Sequence, residues 1–283
     1  MSDERAIGVF DSGVGGLTVV RELFMALPAE RIIYFGDTAR VPYGTKSAKA
    51  VTRFALEDIF FLLKQEVKIV VAACHTVSSV ALDDIVQTLH VPVLGVVEPG
   101  VKAAAAATRN GKIGVIGTRA TILSRAYEQK LKAKDPDIEI FGQSCPLFVP
   151  LTEEGWLEGD ITRRVADIYL APLLGKGMDT LILGCTHYPL LKPVIQSIVG
   201  PDVIIIDSAE ETARLVASRL QGLNMQRKEA DHSADHVFYV SDIPHQFRSV
   251  GECFLGRSLE NLIQIDLDSM NLESAGMERM SLK

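Results

Sequence analysis

The chain has 283 residues, of which 47% are hydrophobic and 23% are charged. This composition supplies ample apolar material for a packed core and excludes the disordered, collagen-like and low-complexity classes of protein. The formal net charge of −7 argues against a chain that mainly coats nucleic acid, so we expect no nucleic-acid partner.

Short β-branched apolar runs alternate with segments of helical periodicity. In chain order, the first part predicts strand 6–10, helix 17–26, strand 31–35, helix 46–64, strand 68–73, helix 76–89 and strand 91–97. The tripeptide Glu98-Pro99-Gly100 then indicates a crossover before an alanine-rich helix at 101–108. Alternating strands and helices are typical of βαβ units, in which helices cover both faces of a parallel sheet.

The second half of the chain repeats the order of motifs in the first half. The matching pairs, 106 to 111 residues apart, are Ile7 with Ile113, Cys74 with Cys185, and Val93 with Val203. Chance similarity between apolar strands is the alternative explanation. The repeat predicts an α/β fold of two similar lobes with mainly parallel sheets, related by internal duplication. We assign residues 1–98 plus 208–283 to the first lobe and residues 99–207 to the second.

The cysteines and the apolar runs bear on the compartment. No apolar run approaches the ~18–20 residues of a membrane span, and the first residues show no secretory signal. The four cysteines, which include Cys145 and Cys253, form no CxxC pair, and they are too few for a disulfide scaffold. We therefore expect a cytoplasmic protein without a membrane partner, whose special cysteines, if any, are reactive.

Cys74 and Cys185 occupy matched positions, each after a strand and before a helix. Ligands of parallel α/β sheets bind at the carboxyl ends of strands, and a nearby helix N-terminus favours a thiolate. An inert buried thiol is the alternative for either cysteine taken alone. Together with His75 and His187 they could form a zinc site, but the ligand spacing is poor, so we predict no metal.

Two loops add candidate ligands for a small molecule. The glycine-rich segment from Asp11 to Thr18 follows a strand and opens a helix, so its amides could bind an anion. It matches neither the dinucleotide nor the Walker pattern. Asp11 could act as a base, bind an ammonium group or cap the helix. The Pro42-Tyr43-Gly44 turn is either plain structure or a place where backbone approaches a ligand closely.

In this order, the motifs resemble the cofactor-independent aspartate/glutamate racemase family. The segments that carry the resemblance are Asp11 to Gly16, Asp37 with Pro42-Tyr43-Gly44, Ala73-Cys74-x-Thr76, Gly117-Thr118 with Thr121, Pro150 with Glu153-Glu154-Gly155, and Gly184 to Pro189. The resemblance covers residues 7–220 and continues weakly to about 265. The ending Thr186-His187-Tyr188-Pro189 favours the glutamate branch over the aspartate and hydantoin branches.

The resemblance implies two-base racemisation of a small molecule, L- or D-glutamate, in a cleft between the lobes, with no cofactor. It implies Cys74 and Cys185 as the acid/base pair, and Asp11, Glu153 and His187 as helpers that tune the thiols or receive the ammonium group. Implied substrate contacts are Asp11, Ser12, Pro42, Tyr43, Gly44, His75, Thr76, Thr118, Thr121, Thr186 and His187. A homodimer and a supply of D-glutamate for peptidoglycan precursors are also implied.

One residue departs from the family pattern. The family usually has Cys-Asn-Thr at the first cysteine, whereas this chain has His75 in the middle position. A neutral imidazole donates and accepts like an amide but with a different reach. We expect retained activity with an altered affinity or pH profile.

Two other functions remain open. A sister enzyme on the same scaffold, such as an aspartate or broad-specificity racemase, would be separated by a substrate screen using circular dichroism. A two-lobed binding or regulatory protein without catalysis would leave the α-proton of its ligand unexchanged in heavy water.

Overall fold

The computed structural model describes residues 3–227 and 236–267. Within these ranges all strands belong to two parallel sheets, which confirms the predicted α/β class. The parts of the first-lobe assignment at residues 1–2, 228–235 and 268–283 lie outside the described residues. Among the described helices, none combines the length and the apolar character that a membrane span needs.

The two sheets share a core of four strands in the same order. The first sheet has the spatial order β10 (Leu262–Gln264), β9 (Val237–Val240), β2 (Ile32–Gly36), β1 (Ile7–Asp11), β3 (Ile69–Ala72) and β4 (Val93–Gly95). The second has the order β6 (Glu139–Ser144), β5 (Lys112–Gly117), β7 (Thr180–Gly184) and β8 (Ile204–Asp207). The order β2-β1-β3-β4 therefore recurs as β6-β5-β7-β8, which is the arrangement that the repeated motifs predict.

Twelve α-helices of the described chain cover or connect these sheets. They are α1 (Leu17–Ala26), α2 (Ala48–Lys64), α3 (His75–Val80), α4 (Leu82–Ile85), α5 (Val97–Ala107), α6 (Arg119–Leu123), α7 (Ala126–Lys134), α8 (Phe148–Glu153), α9 (Asp160–Leu174), α10 (Lys192–Val199), α11 (Ser208–Gly222) and α12 (Pro244–Leu255). Helix α11 carries the chain from β8 back to the first lobe, where its apolar face packs with α1.

The first sheet is buried on both faces. Ile7 and Val9 of β1 pack with α1, α11 and α12, whereas Phe10 packs with α2 on the opposite face. Successive side chains of a strand point to opposite faces, so one strand serves both cores. Each such side chain contributes roughly 1.5–3 kcal/mol of burial free energy. The strand ends that carry Asp11 and Cys74 are therefore held by a packed core.

Two predicted elements differ from the observed ones. The helix expected at 76–89 is broken at Ala81, which leaves the helical region of φ and ψ, and the break allows Leu82 and Ile85 to pack in the core. The segment expected as a crossover, Glu98-Pro99-Gly100, instead forms part of α5. Proline fits there because the first turn of a helix needs no N–H donor at that position. The assigned boundary at 98/99 therefore falls inside a helix.

Candidate active site

The carboxyl ends of strands from both sheets meet at one cavity of about 510 Å³. Parallel α/β sheets bind ligands at this edge, and the volume suits a small molecule. The first lobe supplies Asp11, Ser12, Val41, Pro42, Tyr43, Gly44, Thr45, Cys74, His75 and Thr76 to its wall. The second lobe supplies Thr118, Arg119, Pro146, Leu147, Val149, Pro150, Tyr169, Cys185, Thr186 and His187.

Cys74 follows β3 and is the N-cap residue of α3. Its side chain is buried, and its Sγ–H donates to Ser12 Oγ at 3.9 Å. Burial raises the pKa of the Cys74 thiol well above its usual range, and the nearby Asp11 carboxylate adds to this effect. Cys74 is therefore a protonated thiol at neutral pH.

Cys185 follows β7 and contacts a charged imidazole. His187 Nδ1 lies 3.8 Å from Cys185 Sγ, and His187 Nε2 lies 2.8 Å from Glu153 Oε1. Burial alone would lower the pKa of His187, but the hydrogen bonds to Cys185 and Glu153 outweigh it and raise the pKa to about 10. The ring is thus an imidazolium at neutral pH, and its two N–H groups donate toward Cys185 and Glu153.

Asp11 lies at the tip of β1 with 1% of its surface exposed. Its Oδ2 accepts the Gly13 amide at 3.1 Å, while its Oδ1 has no hydrogen-bond partner among the described residues. Burial raises the pKa of Asp11, and the positive charge of His187 opposes this. A buried acceptor left unpaired is unfavourable, and Asp11 is one of the residues that line the cavity.

Threonine hydroxyls join the two lobes across the cavity. Thr76 Oγ1 lies 3.1 Å from Thr118 Oγ1, which lies 3.0 Å from Thr121 Oγ1. Thr118 also caps α6 by accepting the Thr121 amide. Thr76 and Thr118 line the cavity, whereas Thr121 lies behind Thr118 and lines a separate recess. Thr121 thus orients its neighbour from outside the cavity wall.

The glycine-rich loop lets the lobes approach each other. A Cβ atom on Gly15 would lie 2.3 Å from Thr186 Oγ1 and 2.5 Å from His187 Nδ1. The hydroxyl of Thr18 donates to the Thr186 carbonyl at 2.9 Å. The loop therefore contacts the second cysteine segment directly, and glycine is needed because no side chain fits at position 15.

His75 is buried in the cavity wall with 4% exposure. Neither ring nitrogen makes a hydrogen bond of good geometry within residues 3–227 and 236–267, although the Leu183 carbonyl lies near enough to favour protonation slightly. Burial lowers the pKa of His75 to about 3, so the imidazole is neutral at physiological pH.

Other predicted site residues stand just outside this cavity, and some polar residues were missed. Glu153 reaches the site through His187 and lines a neighbouring recess of about 160 Å³. Sequence reasoning missed Asp58, whose carboxyl lies within hydrogen-bond distance of the Tyr43 hydroxyl, and Arg40, which donates to Asp58. The sequence does indicate that Asp58 is buried, because it lies four residues after Phe54 on the apolar face of α2. A carboxylate on that face must have a buried partner.

The described side chains include no group of three or more His, Cys, Asp or Glu residues arranged to hold a metal ion. Cys145 is buried and Cys253 is exposed; neither lines the cavity. Within the described residues, the cavity wall brings together Cys74, Cys185, Asp11 and the His187 imidazolium, to which Glu153 is hydrogen-bonded.

Comparison with known proteins identifies relatives of this chain. A family model described as Asp/Glu/Hydantoin racemase matches residues 7–216. The glutamate racemase of Geobacter metallireducens is 52% identical over 265 residues, which cover 94% of this chain and 98% of the relative. The solved structure of glutamate racemase from Francisella tularensis in complex with D-glutamate is 44% identical with a TM-score of 0.87, covering 94% of this chain and 99% of that chain.

A second solved structure, glutamate racemase from Thermus thermophilus in complex with beta-chloro-D-alanine, is also 44% identical with a TM-score of 0.87. It covers 95% of this chain and 100% of that chain. The family model covers residues 7–216, and the relatives and solved structures cover more than nine-tenths of the sequence. The chain therefore belongs to the Asp/Glu/Hydantoin racemase family, whose members are isomerases.

Proposed function

We propose that this protein interconverts L- and D-glutamate. The observation that carries the proposal is the placement of Cys74 and Cys185, which follow equivalent strands of the two lobes and line one cavity. Racemisation needs an acid and a base on opposite faces of one carbon, and a duplicated lobe supplies such a pair. Glutamate is the substrate named for relatives at 44–52% identity.

The two sulfurs differ in their charged neighbours, and this difference gives the proposed reaction its starting state. Cys185, beside the His187 imidazolium, acts as the thiolate base, whereas Cys74 beside Asp11 carries the proton. The Cys185 thiolate takes the α-proton, so an S–H bond forms as the C–H bond breaks and its electron pair stays on the substrate. The Cys74 thiol then delivers its proton to the opposite face. The reverse reaction exchanges the two roles.

The cavity wall supplies the contacts for a dicarboxylic amino acid. Asp11 receives the substrate ammonium, whose positive charge compensates the buried carboxylate. Hydroxyls, backbone amides and the neutral imidazole at the wall bind the two carboxylates, and they stabilise the extra charge that develops in the transition state. The hydroxyls are those of Ser12, Thr76, Thr118 and Thr186, the amides are those of Tyr43 and Gly44, and the imidazole is that of His75. Pro42, which has no N–H, contributes to the shape of the wall.

The cellular role that we propose is the supply of D-glutamate for peptidoglycan precursors in the cytoplasm, by a homodimer. Support for this role comes from the proposed substrate pair, since D-glutamate is a product that a cell-wall pathway can consume. Growth of a D-glutamate auxotroph that expresses the chain, without added D-glutamate, is the expected result. Light scattering of the purified protein should give twice the chain mass of 30.9 kDa.

Serine replacements of single cysteines test the chemistry. Cys74→Ser and Cys185→Ser should each lower the racemisation rate by about 10²–10⁴-fold, which is the contribution of a positioned acid or base. Each variant retains one base, so α-proton exchange in heavy water should survive for one enantiomer only. The matched control is Cys253→Ser, which removes an exposed thiol. Racemisation near the wild-type rate by either cavity variant would refute the two-base assignment.

A further inference from the structure

A buried ionic cluster lies directly behind one wall of the cavity. Asp37 and Asp58 are both fully buried, and the Arg40 guanidinium lies between them. Arg40 Nε donates to Asp37 Oδ2 at 2.6 Å, and Arg40 Nη2 donates to Asp58 Oδ1 at 3.0 Å. Glu57 pairs with the remaining nitrogen, Nη1. The proposed reaction uses none of these four residues, yet buried charges are unfavourable unless their partners are well placed.

The cluster is bonded to a residue of the cavity wall. The Tyr43 hydroxyl donates to Asp37 Oδ2, and its oxygen lies 3.1 Å from Asp58 Oδ2. Burial and the adjacent Asp37 carboxylate raise the pKa of Asp58 well above its usual range. The Tyr43 hydroxyl therefore lies between two buried carboxyl groups, and both are within hydrogen-bond distance of its oxygen.

Tyr43 begins the turn that meets the second lobe. The turn spans Tyr43–Thr45 and lines the cavity. A Cβ atom on Gly44 would lie 2.9 Å from Thr118 Cβ, so the backbone of the turn packs closely against the other lobe. Because this contact has no spare room, a shift of Tyr43 changes the position of the cavity wall.

A third element fixes the cluster from the edge of the sheet. The Ser241 hydroxyl, just after β9, donates to Asp37 Oδ1 at 3.0 Å and accepts the Ala39 amide at 2.8 Å. Asp37 therefore accepts hydrogen bonds from Ser241 after β9 and from Arg40 in its own loop. The cluster joins the β2 loop, α2 and the end of β9 around one tyrosine hydroxyl.

We propose that Asp37, Arg40 and Asp58 are positioning residues that hold the Pro42-Tyr43-Gly44 turn at the substrate and thereby set the affinity for glutamate. This inference rests on the proposed function for its substrate. The three residues act through the Tyr43 hydroxyl and do not touch the ligand. The backbone groups of the cavity wall bind the ground state and the transition state equally. Displacement of this wall therefore raises KM while kcat changes little.

Two variants break the link and one preserves it. Tyr43→Phe removes the hydroxyl but keeps the buried ring, and Asp58→Leu removes the carboxyl partner. Asp58→Asn keeps a donor and an acceptor of nearly the same shape. We expect the first two to raise KM for both enantiomers at least tenfold with kcat within about threefold, as for lost uniform binding. The asparagine variant should restore KM to within about threefold of wild type.

The control breaks a buried ion pair at the opposite edge of the same sheet. Glu30 is buried and its Oε2 lies 2.6 Å from Lys68 Nζ, close to the first residues of β1 and β3 and away from the cavity. Glu30→Gln should lower the melting temperature without raising KM. This comparison separates a positioning role from a general loss of stability.

The KM values of the variants decide whether the inference holds. If Tyr43→Phe or folded Asp58→Leu has a wild-type KM, or if Glu30→Gln raises KM as much as they do, the inference is wrong. Tyr43→Phe decides the matter should Asp58→Leu fail to fold. Calorimetric titration with D-glutamate accompanies the kinetics. A wild-type protein that binds glutamate without racemising it refutes the proposed function, while the dissociation constants of the variants still test the positioning role.

Discussion

Replacement of Glu153 by glutamine removes one charge from the chain of contacts that ends at Cys185. The Glu153 carboxylate lies 2.8 Å from His187 Nε2, and its side chain is 38% exposed. The amide oxygen of the new side chain can still accept the same hydrogen bond, so the change is mainly electrostatic. Loss of the anion lowers the pKa of His187 from about 10, because the protonated ring loses a stabilising partner.

The size of the shift follows from the exposure of the carboxylate. Unit charges about 3 Å apart interact with roughly 1.5 kcal/mol in a strongly solvated setting and with more in a buried one. Since Glu153 is more than one-third exposed, the interaction energy of the solvated setting applies. One pKa unit corresponds to about 1.4 kcal/mol, so the pKa of His187 should fall by about one unit. The ring stays charged at neutral pH and loses its proton earlier as the pH rises.

Kinetics across the alkaline range test this reasoning. Initial rates followed by circular dichroism between pH 6 and 11 should place the alkaline limb of kcat/KM near pH 10 for wild type and near pH 9 for Glu153→Gln. At pH 7 the two rates should agree within about threefold. The adjacent Glu154, which is exposed, provides the control, and Glu154→Gln should leave the limb unchanged. An unmoved limb in Glu153→Gln would show that the ion pair does not set the charge of His187.

Three further predictions concern close approach, the neutral imidazole and stability. Gly15→Ala should lower kcat/KM about 10–100-fold by overpacking. The control is Gly13→Ala, whose Cβ would lie 3.5 Å from its nearest neighbour and whose kcat/KM should stay within threefold of wild type. Equal kcat/KM values for the two variants would refute the predicted clash at Gly15. His75→Asn should change KM, but above pH 5 its pH–rate profile should match that of wild type, because the pKa of His75 is about 3. A pH–rate profile displaced above pH 5 would contradict a neutral His75 ring. Lys68→Met should lower the free energy of unfolding, measured by chemical denaturation, by about 3–5 kcal/mol and leave KM unchanged. An unchanged denaturation midpoint would refute the structural role of Lys68.

The sequence predicts those parts of the site that depend on strand ends. Cys74 and Cys185 follow strands of matched order, so the rule for parallel sheets places both thiols at one edge of each lobe. The cluster behind Tyr43 follows no such rule, because Asp37 and Asp58 are 21 residues apart and meet only after α2 packs on the sheet. Periodicity marks Asp58 as buried but does not identify its partner.

The boundary between the lobes shows a second limit of sequence reasoning. Pro99 and Gly100 are typical of a loop, yet α5 begins at Val97 and includes both. Val101 and Ala104 are fully buried on this helix, and the free energy of their burial outweighs a weak local preference. Local signals predict an interruption there, whereas tertiary packing decides that the helix starts earlier.

Duplication places the two sulfurs alike, but the surroundings of the sulfurs are not duplicated. Cys74 has the Asp11 carboxylate as its neighbour, which disfavours a second negative charge, whereas Cys185 has the His187 imidazolium. In the proposed reaction, proton transfer from Cys74 leaves a thiolate beside Asp11. A substrate ammonium bound to Asp11 would neutralise that carboxylate and make the thiolate acceptable. Bound substrate would thus compensate the electrostatic difference between the lobes, so that both directions of racemisation can proceed in one cavity.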